Sequence, residues 1–277
     1  MIKPLDYFAA LVQQDDSIPL FEAAIALAQD TEPQLDLAAV QAEMDLLSAR
    51  LRKRIPVDAG SIQKVQLLNQ YFYRELGFAS NLNNYYDPEN SYLHRVLKTR
   101  RGIPISLAML HIEMAQQIGL DIKGISFPGH FLMKLSIPSG DVILDPVNGA
   151  SLSRGELEDR LEPFVEQIRR VGKPLAGYLE AASARDILVR MLRNLKSLYL
   201  DQSRWKLLLD VQQRLLILLP NDISERRDRG LAFSHLDCPQ AALDDMQAYL
   251  AQRPYAADAE EVRSKLPMLR LACRRLN

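Results

Sequence analysis

Cysteine is almost absent from this chain: there are two in 277 residues, Cys238 and Cys273, both in the last third. That is too few for a disulfide framework or a cysteine zinc site, and a reducing compartment is the simplest setting for such a chain. A charge imbalance is missing as well. With 34 Lys and Arg against 35 Asp and Glu, the formal net charge is −1, which gives no electrostatic case for nucleic acid or an anionic membrane surface. Nowhere do eighteen apolar residues run together, and the first sixteen residues carry one Lys but no long apolar stretch of the signal-peptide kind. No phosphate-binding glycine loop is present, and the four histidines show no zinc-type spacing with carboxylates. The expectation is a cytoplasmic protein without metal or cofactor and with neither nucleic acid nor membrane as partner. Its 48% hydrophobic and 25% charged residues are ordinary for a globular chain, and its length suits one large domain or two average ones.

The most informative stretch runs from Arg100 to Gly149. Gly102 and Pro104 open it, and from Ile105 to Ile118 the residues are apolar on most sides, the signature of a buried helix closed by Gly119. Three short β-type runs follow, Ile122 to Phe127, His130 to Ser136 and Asp141 to Val147, separated by Pro128-Gly129 and Pro138-Ser139-Gly140. Turn residues that close together demand an antiparallel meander. A helix start, a strand His and a strand Asp thus follow one another in that order, and a helix N-terminus favours an anion.

Elsewhere the pattern is helical. Residues 4 to 76 read as four helices; Leu37, Val40, Met44, Leu47 and Leu51 form the seam of the third, and Gly77 ends the fourth. Asp87-Pro88 marks a helix start, and Ser153 with Glu156 makes a capping box for another helix reaching about Arg170. Gly172, Pro174 and Gly177 mark a boundary, giving expected domains of 1–176 and 177–277. Beyond it a period of 34 appears: Pro220 and Pro254, Tyr199 and Phe233, Lys196 and Gly230 are each that far apart. This is the tetratricopeptide period, and Gly230, Phe233, Ala242 and Pro254 fall on the repeat's small, aromatic, inter-helix and terminal positions.

Gly119-Leu120, Gly129-His130 and Leu144-Asp145-Pro146, in order and spacing, resemble the transglutaminase-like superfamily. More narrowly, Asn90-Ser91-Tyr92-Leu93 and Arg101-Gly102-Ile103-Pro104-Ile105-Ser106-Leu107 resemble the bacterial SirB family, which joins such a domain to tetratricopeptide repeats. The resemblance implies an α+β fold: a helix-rich transglutaminase-like domain with a small antiparallel sheet, followed by an all-α repeat unit that binds a protein partner. It implies His130 as base and Asp145 as its orienter, within hydrogen-bond reach of roughly 2.6 to 3.2 Å. The nucleophile position falls on Pro104 instead of cysteine, and the nearest hydroxyl is Ser106. Two readings stay open, a regulatory or scaffold protein that has lost its thiol and a serine-dependent hydrolase or acyl-transfer enzyme using Ser106, His130 and Asp145. In either case alkylating Cys238 and Cys273 should leave the function of the folded protein intact; its loss in a still-folded, alkylated sample would move the site into the repeats.

Overall fold

The computed structural model describes residues 3–276. It divides into two compact units, one spanning Asp15–Met191, the other formed by the segment ending at Gln14 together with the segment starting at Leu192.

Helix α1, Pro4–Leu11, starts with proline in its first turn, where no N–H partner is needed. Helix α2, Leu20–Ala26, follows. Pro19 is its N-cap and Ser17 sits in a preceding 3₁₀ turn. In α3, Leu37–Arg52, the Asp36 carboxylate accepts the Ala39 N–H at 3.0 Å, and Val40, Met44, Leu47 and Leu51 face inward as the seam predicts. Helix α4, Ser61–Asn69, passes into a wider π turn over Gln70–Glu75. The Asp87-Pro88 start yields only a 3₁₀ turn, Pro88–Ser91, because Tyr92 is extended; α5, Leu93–Thr99, begins after it. Two-residue strands β1, Ala79–Ser80, and β2, Arg101–Gly102, pair in parallel, which the sequence pattern did not indicate.

Helix α6, Pro104–Gln117, is the centre of this unit. From Pro104 to Ile112 every residue is buried, so the helix is coated on all sides, by α3, α4 and α5 and by a sheet. That sheet is the expected antiparallel meander, β3 (Ile122–Ile125), β4 (Leu132–Ile137) and β5 (Gly140–Leu144). Its strands are shorter than predicted. His130 precedes β4 by two residues and Asp145 follows β5, so both lie on loops at the sheet's end. The capping box at Ser153 starts α7, Arg154–Leu161, and Pro163 breaks the helix before α8, Val165–Val171; α9, Leu175–Tyr178, is a single turn.

The division between units falls inside α10, Ala184–Asp201, about two helical turns beyond the start of that helix. The repeat helices α11 (Trp205–Leu218), α12 (Ile223–His235), α13 (Pro239–Gln252) and α14 (Ala259–Leu276) follow. Helices α11 and α13 start 34 residues apart, which is the predicted period. A short stack leaves the outer face of α11 bare, and α1 fills that role: fully buried Phe8 lies under the Arg214 guanidinium, 4.8 Å from its ring centroid. The first helix of the chain therefore belongs with the last ones. Buried Asp245 on α13 is held by Arg226 and Arg229 of α12 at 2.7 to 2.9 Å. A buried carboxylate without such partners would cost several kcal/mol.

Gly230 is where α12 meets α13. A Cβ there would sit 3.1 Å from Asp245 Cβ, 3.2 Å from Met246 Cγ and 3.3 Å from the Ala242 carbonyl oxygen. Gly230→Leu should therefore lower the unfolding free energy by about 1 to 3 kcal/mol through overpacking, read by chemical denaturation. A variant as stable as the parent would mean that the small position does not set the helix spacing.

Candidate functional site

The candidate site centres on Asp145. Its side chain is 8% exposed and accepts the Val147 N–H at 2.9 Å through Oδ1 and Arg160 Nη2 at 2.6 Å through Oδ2. His130 Nε2 stands 3.6 Å from the same Oδ2. That contact is longer than the expected hydrogen bond of 2.6 to 3.2 Å. Burial pushes the Asp145 pKa up, but the His130 ring, the Val147 N–H and the Arg160 guanidinium together hold it well below the usual carboxylate range.

Both residues are set by their turns. Gly129 has φ +65° and a Cβ there would come within 2.4 Å of the Phe164 ring, so only glycine lets Phe164 close over the loop that carries His130. The Asp145 loop is pinned from the other side. Tyr73 donates its hydroxyl to the Pro146 carbonyl at 2.9 Å, and Asn69 donates its amide to the Gly149 carbonyl, also at 2.9 Å. Behind Asn69, fully buried His111 of α6 donates from Nε2 to Asn69 Oδ1 at 2.8 Å, a tautomer assigned from the acceptor-only partner. Burial depresses the His111 pKa to about 3, so its ring is neutral in the folded protein. Burial and the nearby Asp145 charge raise that of Tyr73.

The result is an open cleft of about 440 Å³ lined by His130, Asp145, Asn148 and Arg160 among Pro128, Val147, Pro163 and Phe164. Ser106 does not line it. The Ser106 side chain is fully buried; Oγ accepts the Ile103 N–H at 3.0 Å and donates to the Asn90 carbonyl at 2.6 Å, closing the α6 N-terminus onto the Pro88–Ser91 turn. The structure thus brings His130 and Asp145 together and assigns the Ser106 hydroxyl to a helix cap. Pro104, which the resemblance lays on the nucleophile position, is the first residue of α6 and is buried. His94 bonds Glu32 at 3.2 Å. Among the described residues no three His, Cys, Asp or Glu side chains group as metal ligands, and no helix is long and apolar enough to cross a membrane.

Sequence reading missed Arg160, Phe164 and the His111, Asn69 and Tyr73 support. Arg160 carried a weak signal. It lies in the last turn of the helix opened by the Ser153 capping box, three residues beyond buried Leu157.

The transglutaminase-like superfamily profile matches residues 38–193, and a tetratricopeptide-repeat profile matches residues 195–267. The chain belongs to the transglutaminase-like superfamily. Within it, the repeats and the relatives define a SirB-type protein: the chain is 37% identical over 253 residues to a UPF0162 protein of Xylella fastidiosa (strain Temecula1), covering 91% of this chain and 90% of that one. It is 30% identical over 256 residues to a UPF0162 protein of Vibrio cholerae, covering 92% and 93%. To Protein SirB1 of Salmonella typhimurium the identity is 25% over 252 residues, covering 91% and 93%. No solved structure matches.

The buried neutral His111 sets an acid limit. Its folded pKa, about 3, lies below the ordinary 6.5, so as pH falls the unfolded chain takes up the proton first. Stability is full above about 6.5 and is lost as pH falls through that window toward 3. Asp145 adds its own loss only below the ordinary carboxylate value of 3.8. His111→Gln, which keeps an amide donor for Asn69, should flatten the stability profile between pH 6.5 and 4; an unchanged slope would show that His111 is not the titrating group.

Proposed function

We propose that this protein is a regulatory scaffold whose transglutaminase-like domain has lost catalysis and whose repeat unit binds a protein partner in the cytoplasm. The observation that carries the reading is the start of α6. Pro104 stands where the superfamily resemblance puts the nucleophile, and a proline side chain has no group that can attack an acyl carbon. The nearest hydroxyl is consumed: Ser106 is inaccessible and bonded to Ile103 and Asn90, whereas an activated serine needs its base within hydrogen-bond reach. The His130 and Asp145 pair then persists as a packed polar cluster with Arg160.

On the other side, stacked repeats offer an extended surface and no chemistry of their own. The profile match over 195–267 supports that role. Free Cys238, exposed, and free Cys273 fit a reducing compartment. The competing reading, a serine hydrolase or acyl-transfer enzyme using Ser106, His130 and Asp145, requires the α6 start to open and release Ser106 from two hydrogen bonds.

The two readings separate in one comparison. The full chain, Ser106→Ala and His130→Ala are assayed for hydrolysis and acyl transfer on ester and glutamine-amide substrates, and the tagged chain and His130→Ala are compared for co-purifying proteins. The scaffold reading expects no turnover above the His130→Ala baseline and the same co-purified set. Turnover that both substitutions abolish, as members of one catalytic unit would, overturns it.

A further inference from the structure

The cleft at His130 has an uneven supply of hydrogen-bond groups. Each of its side-chain acceptor oxygens is already engaged internally: Asp145 Oδ1 takes the Val147 N–H at 2.9 Å, Oδ2 takes Arg160 at 2.6 Å, and Asn148 Oδ1 takes the Ala150 N–H at 2.9 Å. That last contact also fixes the amide, so the Asn148 NH₂ group is the one left over. Its donors are largely unspent. Among the described residues the Asn148 NH₂ and the remaining N–H groups of Arg160 make no further hydrogen bond, Glu156 acting on Arg160 through its charge alone, and the Arg160 and His130 side chains are 32% and 23% exposed. The Asp145 charge is already met by Arg160 underneath. Around these donors the wall is apolar, with Phe164 closed over Gly129 and flanked by Pro128, Pro163 and Val147.

A cleft of donors beside an apolar wall complements an acceptor anion carried next to an apolar group. Arginine presents a planar fork that fits a carboxylate, and charge-assisted hydrogen bonds are about twice as strong as neutral ones. The roughly 440 Å³ of space suits one large side chain, within the usual range for small-ligand sites. We infer that this cleft binds a carboxylate attached beside an apolar side chain, the chemistry of a peptide C-terminus ending in a residue such as Phe or Leu and equally of a free N-acyl amino acid. Arg160 and Asn148 hold the carboxylate, and Phe164 with the two prolines holds the side chain. The site requires no covalent step, so it stands whether or not the domain turns over a substrate.

The test is equilibrium binding of the full chain, by calorimetry at one fixed pH, to N-acetylphenylalanine, its neutral amide, acetate, and the tripeptide N-acetyl-Ala-Ala-Phe. The carboxylate should bind at least about tenfold more tightly than the amide, which is about 1.4 kcal/mol, and acetate alone should bind at least about tenfold more weakly. A further tenfold gain for the tripeptide identifies a peptide C-terminus as the source; equal affinity identifies the small acid. Arg160→Gln should abolish binding, but it also unpairs buried Asp145. Asn148→Asp is therefore the cleaner variant, since it keeps the acceptor for Ala150, replaces only the spare donor by a negative oxygen, and should weaken binding at least about tenfold with unchanged thermal unfolding. An amide that binds as well as the acid, an unaffected Asn148→Asp, or no binding of any of the four overturns the inference. A failure here appears in affinities alone, whereas failure of the scaffold reading appears in turnover.

Discussion

The site rests on the neutralisation of one buried carboxylate. Asp145 follows the last strand of the meander and is nearly inaccessible, so its charge survives only because a backbone N–H and a guanidinium meet its two oxygens at hydrogen-bond distance. Left unpaired, such a charge costs several kcal/mol. That requirement ties together parts of the chain that are otherwise unrelated: α7 must present Arg160, the loop after β5 must turn so that Val147 faces back, and the His130 loop must pass beside them. Tyr73, Asn69 and His111 then hold the same loop from the helical side through its carbonyls.

This arrangement explains why the pair could outlast a reaction. In an enzyme of this class the acid orients the base and the base serves a nucleophile at the helix start. Here the helix start is closed by proline and by a serine that ties Ile103 to the Pro88–Ser91 turn. Asp145 nonetheless keeps a structural duty, because Arg160 and the Val147 N–H both bond to its carboxylate. On the scaffold reading, loss of chemistry and retention of the His and Asp positions are compatible for that physical reason.

Much of the architecture was legible because it is written in local signals. The apolar coat from Ile105 onward, the Pro-Gly and Pro-Ser-Gly turns, the Ser153 capping box and the 34-residue spacing each specify an element by short-range chemistry, and each element is present. What the sequence did not disclose is tertiary. Arg160 reaches Asp145 only through the placement of α7, fifteen residues on. Asn69 and His111 are 42 residues apart, and no spacing rule pairs them. The association of α1 with the repeats pairs Phe8 with an arginine some two hundred residues away. The parting of the compact units within α10 is of the same kind: Gly172, Pro174 and Gly177 are a local loop signal, whereas the helical pattern of α10 runs on without a break. Ser106 looked available because one-dimensional proximity to the nucleophile position does not report which way a hydroxyl is turned.

The central claim is that no side chain at the start of α6 is a nucleophile. The most direct measurement is intact-mass and peptide mapping of the folded chain after exposure to a serine-directed fluorophosphonate, with His130→Ala alongside. The account predicts an unmodified Ser106 peptide in both. Stoichiometric modification of Ser106 that disappears in His130→Ala would contradict it, because it would show a hydroxyl activated by that histidine.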